Sequence, residues 1–230
     1  PAHEPLAAHS PIPPFDTAIL NSVAQYFPSA TYLQNVIHQL VASVTPMGGR
    51  IFIGDLRSLR HLRHFHIAVQ AHRLSRDAAS DSEQLMEPTA STLSGALEVA
   101  LLEEKELCID PELLLDAPRA SDVDLASGAQ LHLDYSRVMV KRGRADNELN
   151  AFRYDLVLFV GDAAALPPRA PLEATTELEW TGAVGEAGMV ALRAALAQAL
   201  RDGRRFIIVR GVPNLLLSQP HAMLDKLGTA

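Results

Sequence analysis

Thr17-Ala-Ile-Leu-Asn21, the segment from Ser29 to Val44, and Arg50-Ile-Phe-Ile-Gly-Asp55 together decide the fold. The first is a short apolar run that ends on a polar residue, the pattern of a buried parallel strand whose carboxyl end opens on a site. Ser29 can cap a helix, and Tyr32, Leu33, Val36, Ile37, Leu40, Val41 and Val44 recur behind it at helical spacing. Pro46-Met-Gly-Gly49 stops that helix, and Arg50 to Asp55 is a second buried strand that closes on a carboxylate. Strand, helix and strand in this order predict a right-handed βαβ unit.

Upstream, Pro1, Pro5, Pro11, Pro13 and Pro14 exclude a helix interior, so residues 1–14 read as an extended lead-in. Downstream, Ser58 to about Arg76 is helix-compatible and rich in Arg and His, and Asp77 to Pro88 reads as a loop. A helix is expected over roughly Thr89 to Cys108, with Leu93, Leu97, Ala100, Leu101 and Leu102 on its apolar face and Glu103, Glu104 and Glu106 at its end. A short helix follows Asp110-Pro111. Ser136 to Arg142 and Phe152 to Val160 read as an antiparallel strand pair joined by a polar loop. Residues 161–174 read as a linker, Gly188 to Leu200 as a helix, and Arg205 to Arg210 as a strand leading into Gly211-Val-Pro-Asn214. The organisation expected is a core over 15–160 with a helical insertion at about 58–130, then the linker, then an αβ extension over 175–230. Alternating strands and helices indicate an α/β sheet. That sheet is one-sided, since Thr17 to Asn21 is apolar enough to need neighbours on both edges, and a piece of sheet is expected from elsewhere.

Of 230 residues 48% are hydrophobic, enough for one large domain or two small ones. The single cysteine, Cys108, excludes an internal disulfide framework and fits a reducing cytosol. A net charge of −7 opposes binding to a polyanion, so nucleic acid is not expected as a partner. No run approaches the roughly 18 apolar residues of a membrane span, and residues 1–16 have no basic stretch followed by an apolar one, so neither insertion nor export is expected. A cytoplasmic protein without a membrane partner is expected.

Five stretches, taken in order, carry a resemblance: Phe15 to Pro28, Gly48 to Ser58, Glu103-Glu-Lys-Glu-Leu-Cys-Ile-Asp-Pro111, Lys141 to Asp155, and Arg210-Gly-Val-Pro-Asn214. The chain resembles the S-adenosylmethionine-dependent methyltransferase domain embedded in adenylation domains of nonribosomal peptide synthetases. The likeness covers most of 15–214. It implies part of a class I methyltransferase sheet, Rossmann-like, with a C-terminal antiparallel hairpin and the helical insertion. It also implies methylation of the amine, or sometimes the α-carbon, of an aminoacyl group held as a thioester on a carrier protein, with adjacent synthetase domains as partners. In that family a Gly-rich turn and an acidic residue cradle the cofactor upstream of the segment matching Phe15. The chain is therefore expected to correspond to the C-terminal half to two-thirds of the domain. Two other readings stay open: a truncated pseudo-methyltransferase that docks within a megasynthase, and an epimerase acting on the α-carbon of an aminoacyl thioester.

Methyl transfer needs the acceptor lone pair in line with the sulfonium methyl, and an ammonium must first lose its proton. The resemblance places Asn21 where a side-chain carbonyl meets the acceptor nitrogen; its alternative is a strand-end turn residue. Ser22 and Tyr26 are expected beside S-adenosylmethionine, Tyr26 closing over cofactor or acceptor unless it packs in the core. Asp55 and Arg57 follow the second strand, where ligands gather in open α/β sheets, and are expected to bind substrate unless they form a local ion pair. Glu104 and Glu106 are the expected bases, since burial among like charges would raise a carboxylate toward that role; a solvated acidic helix end is the alternative. Lys141, Arg142 and Arg144 form a basic patch suited to a carrier protein's phosphopantetheine phosphate or acidic helix, or to a charged hairpin edge. His61, His64, His66 and His72 lack an H-E-x-x-H pattern and are interleaved with Arg57, Arg60 and Arg63, so a solvated basic helix face is expected rather than a metal site. Gly182, Gly185 and Gly188 lack the preceding buried strand of a nucleotide fingerprint.

Overall fold

The structure is a computed structural model and describes residues 15–43, 49–81, 89–116, 131–143, 145, 147–160, 175–180, 186–204 and 206–228. The lead-in, the linker at 161–174 and Arg144 lie outside the described residues. The chain divides into two units, one drawn from Pro1–Leu166 with Leu216–Ala230 and the other from Pro167–Leu215.

In the first unit, β1 (Thr17–Asn21) and β2 (Gly49–Ser58) are joined by α1 (Ala30–Ser43) and run parallel, with Ala18 opposite Ile51 and Asn21 opposite Gly54. The expected cap is present: Ser29 Oγ accepts from the Tyr32 N–H at 3.1 Å. The apolar stripe of α1 buries Leu33, Val36, Ile37 and Val41. Leu33, Ile37 and Val41 join Ile51 and Ile53 of β2 and Leu156 and Leu158 of β5 (Arg153–Val160) in one core. Each such fully buried aliphatic side chain contributes about 1.5–3 kcal/mol relative to exposure.

The sheet is mixed. Its order is β1-β2-β5-β4, with β4 (Leu131–Val140) and β5 antiparallel as expected and β5 also antiparallel to β2. β1 is an edge strand that buries one face only: Ala18 packs inward, while Ile19 is 68% exposed. Among the described residues β1 pairs with β2 alone, so the second neighbour that its apolar sequence calls for is not among them.

Between the strands, α2 (Leu62–Asp81) runs on through what reads as loop, and α3 (Ala90–Leu102) stops before the carboxylates. The α3 helix ends early because the Glu104 side chain takes the N–H groups of Lys105 and Glu106, at 2.9 and 2.8 Å, away from helical pairing. The segment then extends, and β3 (Cys108–Ile109) pairs parallel with Arg57 and Ser58 of β2. The stretch expected as a helical insertion therefore contributes a strand to the sheet. Asp110 caps α4 (Pro111–Asp116) through the Glu112 N–H at 3.0 Å. A turn of helix, α5 (Glu148–Phe152), capped by Asn147, takes Phe152 out of the strand and buries it against Phe65. Finally α7 (Ser218–Lys226) belongs to this unit rather than to a separate extension, because Leu224 is buried among Ile67, Ala71, Leu93 and Leu97.

The second unit is a small βαβ: β6 (Thr175–Glu179), α6 (Glu186–Arg201) and β7 (Phe206–Arg210), with the strands parallel. Its strands are clipped on the open face by Arg210, whose guanidinium donates to both Glu177 oxygens at 2.8 and 3.0 Å. A strand thus does precede Gly188, although Glu177 and Glu179 are exposed; Gly182 and Gly185 lie outside the described residues.

Candidate functional site

β1 ends at Asn21 opposite Gly54, whereas β2 runs on to Ser58 with a bulge between Ile53 and Leu56, so Asp55 and Arg57 lie within the second strand rather than at and beyond its end as expected. At this point both segments pass through backbone that few side chains tolerate. Ser22 has φ 56° and Asp55 φ 69°, the left-handed region that costs a non-glycine residue about 1–3 kcal/mol and that clusters at functional sites. The two are tied together: Ser22 N–H donates to the Gly54 carbonyl at 3.2 Å, and Ser22 Oγ to Asp55 Oδ2 at 3.2 Å. Asn21 is exposed beside them and donates through Nδ2 to Ser22 Oγ at 3.3 Å. Gly54 leaves room for it, because a Cβ there would meet Asn21 Oδ1 and the Phe52 ring and force one of them to shift.

From Asp55 a chain of charges crosses the end of the sheet. Arg153 Nη1 lies 3.3 Å from Asp55 Oδ2 and its Nη2 lies 3.3 Å from Glu106 Oε2. Lys141 sits 2.6 Å from Asp155 and 3.5 Å from Asp55, and the Asp55 N–H donates to Asp155 at 2.9 Å. Arg57, its side chain 8% exposed, bridges Glu104 at 2.6 Å and Glu106 at 3.3 Å and lies over the Phe65 ring at 4.2 Å. Glu104 in turn meets His66 Nε2 at 3.0 Å. Three cations thus face four carboxylates, and with His66 neutral the network keeps one surplus negative charge.

The titration behaviour is set by these partners. Burial pushes the Glu104 carboxyl up, but the Glu106 N–H, Arg57, His66 and the Lys105 N–H outweigh it and hold the group below the usual carboxylate range. Glu104 is therefore a fixed anion, not the raised-pKa carboxyl that its sequence context suggests. Burial drives His66 down, against the pull of Glu104. Burial and the nearby Glu104 charge push the Cys108 thiol up to about 11, which leaves it inert as a nucleophile at neutral pH.

Asn21, Ser22, Asp55, Arg57, Glu104 and Glu106 are brought together. Tyr26 stands on the 3-10 turn after β1 and is 73% exposed, which sets aside its core-packing alternative; Phe27 packs instead, edge-on to Tyr32 at 4.9 Å. The basic patch is divided, because Lys141 is drawn into the network while Arg142 is exposed with no ion pair among the described residues. Sequence reading missed His66, Arg153 and Asp155. His66 is only 8% exposed, so the solvated-face reading fails for it. The other members of the His group differ: His64 stacks on His221 with centroids 5.6 Å apart, and His61 meets His64 edge-on at 5.8 Å. Among the described residues no group of three or more His, Cys, Asp or Glu is arranged to hold a metal ion.

A cleft of about 500 Å³ opens between α2 and α3, lined by Arg57, Phe65, His66, Arg73, Ala96 and Glu104 among others. For S-adenosylmethionine the fit is partial. The Tyr26 ring is open to a ligand, and the neighbouring Gln25 Oε1 is buried without a hydrogen-bond partner among the described residues. Asp55, next to Gly54 opposite the end of β1, is already engaged by Ser22, Lys141 and Arg153. Ser22 and Tyr26 fit one wall of such a site and not its cradle.

Comparison with known proteins bears on this geometry. The chain is 38% identical over 149 residues, 64% of its length, to a probable non-canonical nonribosomal peptide synthetase of Salinispora arenicola. It is 32% identical over 215 residues, 94% of its length, to the chondramide synthase of Chondromyces crocatus. Its homologues are nonribosomal peptide synthetases. The cyclosporin synthetase of Tolypocladium inflatum matches at 35% over 189 residues, 81% of the chain. The chain spans only 2%, 5% and 1% of these three synthetases, so it corresponds to a small part of each. No family model matches. Among the described residues no helix is long and apolar enough to cross a membrane.

Proposed function

We propose that the chain is part of a methyltransferase domain of a nonribosomal peptide synthetase, acting on an aminoacyl or peptidyl thioester held on a carrier protein. The observation that carries this reading is the strand-end site: an exposed amide, Asn21, and hydroxyl, Ser22, on strained backbone, backed by a network with surplus negative charge. Homology to the synthetases supplies the context. The chemistry fits, because both the ammonium of an acceptor and a sulfonium donor are cations, and a buried, pre-oriented anionic network stabilises positive charge without reorganising.

In this reading Asn21 Oδ1 orients the acceptor nitrogen, and Ser22 and Tyr26 border S-adenosylmethionine, which supplies the methyl group when bound. Asp55, held by Lys141 and Arg153, keeps Ser22 in place. Arg57 locks Glu104 and Glu106 under the site, while exposed Arg142 is available to the carrier's phosphate or acidic helix.

The test is mass spectrometry of the carrier-bound acyl group after the synthetase module containing this chain is given its amino acid, ATP and S-adenosylmethionine. Gain of one methyl group is expected. Unchanged mass with inverted α-carbon stereochemistry would replace the reading by epimerisation, and unchanged mass and stereochemistry would leave a docking module.

A further inference from the structure

Asn21 carries an amide, and an amide has two unlike faces: its carbonyl oxygen accepts a hydrogen bond and its NH2 donates one. The difference matters to a nucleophilic nitrogen. An oxygen that accepts an N–H of the amine leaves the nitrogen's lone pair free, whereas an NH2 donates into that pair. Which face Asn21 presents is set behind it, by Ser22 and Asp55.

A carboxylate only accepts, so at their 3.2 Å contact Ser22 Oγ must spend its one proton on Asp55 Oδ2. Lone pairs alone are then left on Oγ to face Asn21, and the group 3.3 Å away must be the NH2. Asn21 Oδ1 is thereby turned to the other side, over Gly54, where it is the atom nearest the space that a Cβ would fill. Among the described residues it has no hydrogen-bond partner.

The direction of both bonds depends on Asp55 staying in place, and each polar group of Asp55 is engaged. Ile53 pairs with Leu156 and Leu56 with Tyr154, so in the bulge Gly54 and Asp55 together face the single residue Asp155. Asp155 Oδ1 accepts from the Asp55 N–H at 2.9 Å and from Lys141 Nζ at 2.6 Å. Arg153 Nη1 stands 3.4 Å from the Asp55 carbonyl oxygen and 3.3 Å from Oδ2, and Lys141 is 3.5 Å from Oδ1. A left-handed residue at φ 69° persists only where its surroundings fix it this fully.

We propose that Asp55 is a positioning residue: through Ser22 it fixes the polarity of the Asn21 amide, so that the carbonyl oxygen and not the NH2 meets the acceptor nitrogen. Asp155, Arg153 and Lys141 hold Asp55 in the bulge for that purpose. This rests on the methyl-transfer reading and gives Asp55 a role through Asn21 in place of the substrate contact expected of it. The two roles differ in their arithmetic. Side chains that act on a substrate separately lose rate multiplicatively, whereas one that acts only through another costs nothing more once that other is gone.

The experiment is a double-mutant cycle on methyl transfer by the synthetase module. Asp55→Gly removes the carboxylate without backbone strain, since glycine accepts φ 69°. Alone it is expected to lower kcat about tenfold. In a module that already carries Asn21→Ala, the same change is expected to cost less than about twofold more. Losses that multiply, or an Asp55→Gly rate within about twofold of wild type, overturn the assignment. A second measurement needs neither turnover nor a folded variant: nuclear Overhauser effects from the Asn21 NH2 protons in the isotope-labelled wild-type chain. They are expected to be stronger to Ser22 Hβ than to Gly54 Hα, and the reverse pattern overturns the inference. If no methyl group is transferred but the NH2 protons lie at Ser22, the amide polarity stands and the methyl-transfer reading falls. If methyl transfer proceeds with the NH2 protons at Gly54, the reading stands and the inference falls.

Discussion

Arg57 lies between Glu104 and Glu106, 2.6 and 3.3 Å from their carboxylates, with its guanidinium 4.2 Å from the centre of the Phe65 ring. Both ends of the contact are nearly dry, the side chains of Arg57 and Glu104 being 8% and 12% exposed. Such a pair costs much to bury and more to break, because truncating one member strands the other. Arg57→Ala is therefore expected to destabilise the fold by about 3–5 kcal/mol in urea titration. Arg57→Lys should recover only part of this, since an ammonium cannot reproduce the planar fork or its stacking on Phe65.

Gly54 and Asn21 make a second, more local dependence. Gly54→Ala places a methyl group against Asn21 Oδ1 and the Phe52 ring, and overpacking of this kind costs about 1–3 kcal/mol. Asn21→Gly in the same chain should return part of that loss, because it removes one of the two obstacles. A double-mutant cycle measures the coupling; strictly additive free energies would mean that the Asn21 amide does not rest on Gly54.

Stability should fall on acidification in two windows. Burial, first among the causes, depresses the folded-state pKa values of His61, His64 and His66 below 6.5. The unfolded chain then binds more protons, so the stability present above pH 6.5 is lost as pH falls through the lowered values. Glu104, held below 4.5 in the fold against the effect of its burial, adds stability above 4.5 that is lost as pH drops through its folded pKa. A Tm profile flat from pH 7 down to about 4.5 would contradict the histidine assignment, and one with no further fall on continued acidification would contradict that of Glu104.

How much of this is legible in the sequence depends on range. The unit β1-α1-β2 is readable because its signals are local: a polar strand end at Asn21, a Ser29 cap, a stripe through Leu33, Val36, Ile37 and Val41. The end of β2 is not, because Asp55 reads as a stop while the strand runs on through a bulge to Ser58. β6 is not, because Thr-Thr-Glu-Leu-Glu carries a single large apolar residue and owes its place to pairing with β7. β3 is hidden inside an expected helix, which the Glu104 side chain terminates by bonding to its own neighbours' backbone. In the site, Ser22 can be found just past the end of β1, and Asp55 by the apolar run that precedes it. Arg153 and His66 cannot, because their partners lie 98 and 38 residues away and the assigning contacts form only when the sheet assembles. The one available hint is chemical: a charged residue, Arg153, flanked by Phe152 and Tyr154 at the head of an apolar strand.

In the core, Leu33→Ala on α1 should cost about 2–5 kcal/mol, since Leu33 is fully buried among strand residues that cannot collapse onto the space. Leu102→Ala at the exposed end of α3 should change stability by no more than about 0.5 kcal/mol. Equal losses would place the core elsewhere.

Asn21 is the residue on which methyl transfer at this site most directly depends. In the synthetase module, with the carrier loaded and methyl-labelled S-adenosylmethionine supplied, label should pass to the acyl group, and Asn21→Ala should slow that transfer about a hundredfold with Tm unchanged. Transfer at the wild-type rate by a folded Asn21→Ala protein, or no label on the acyl group in the wild type, would contradict the assignment of methyl transfer to this strand-end site.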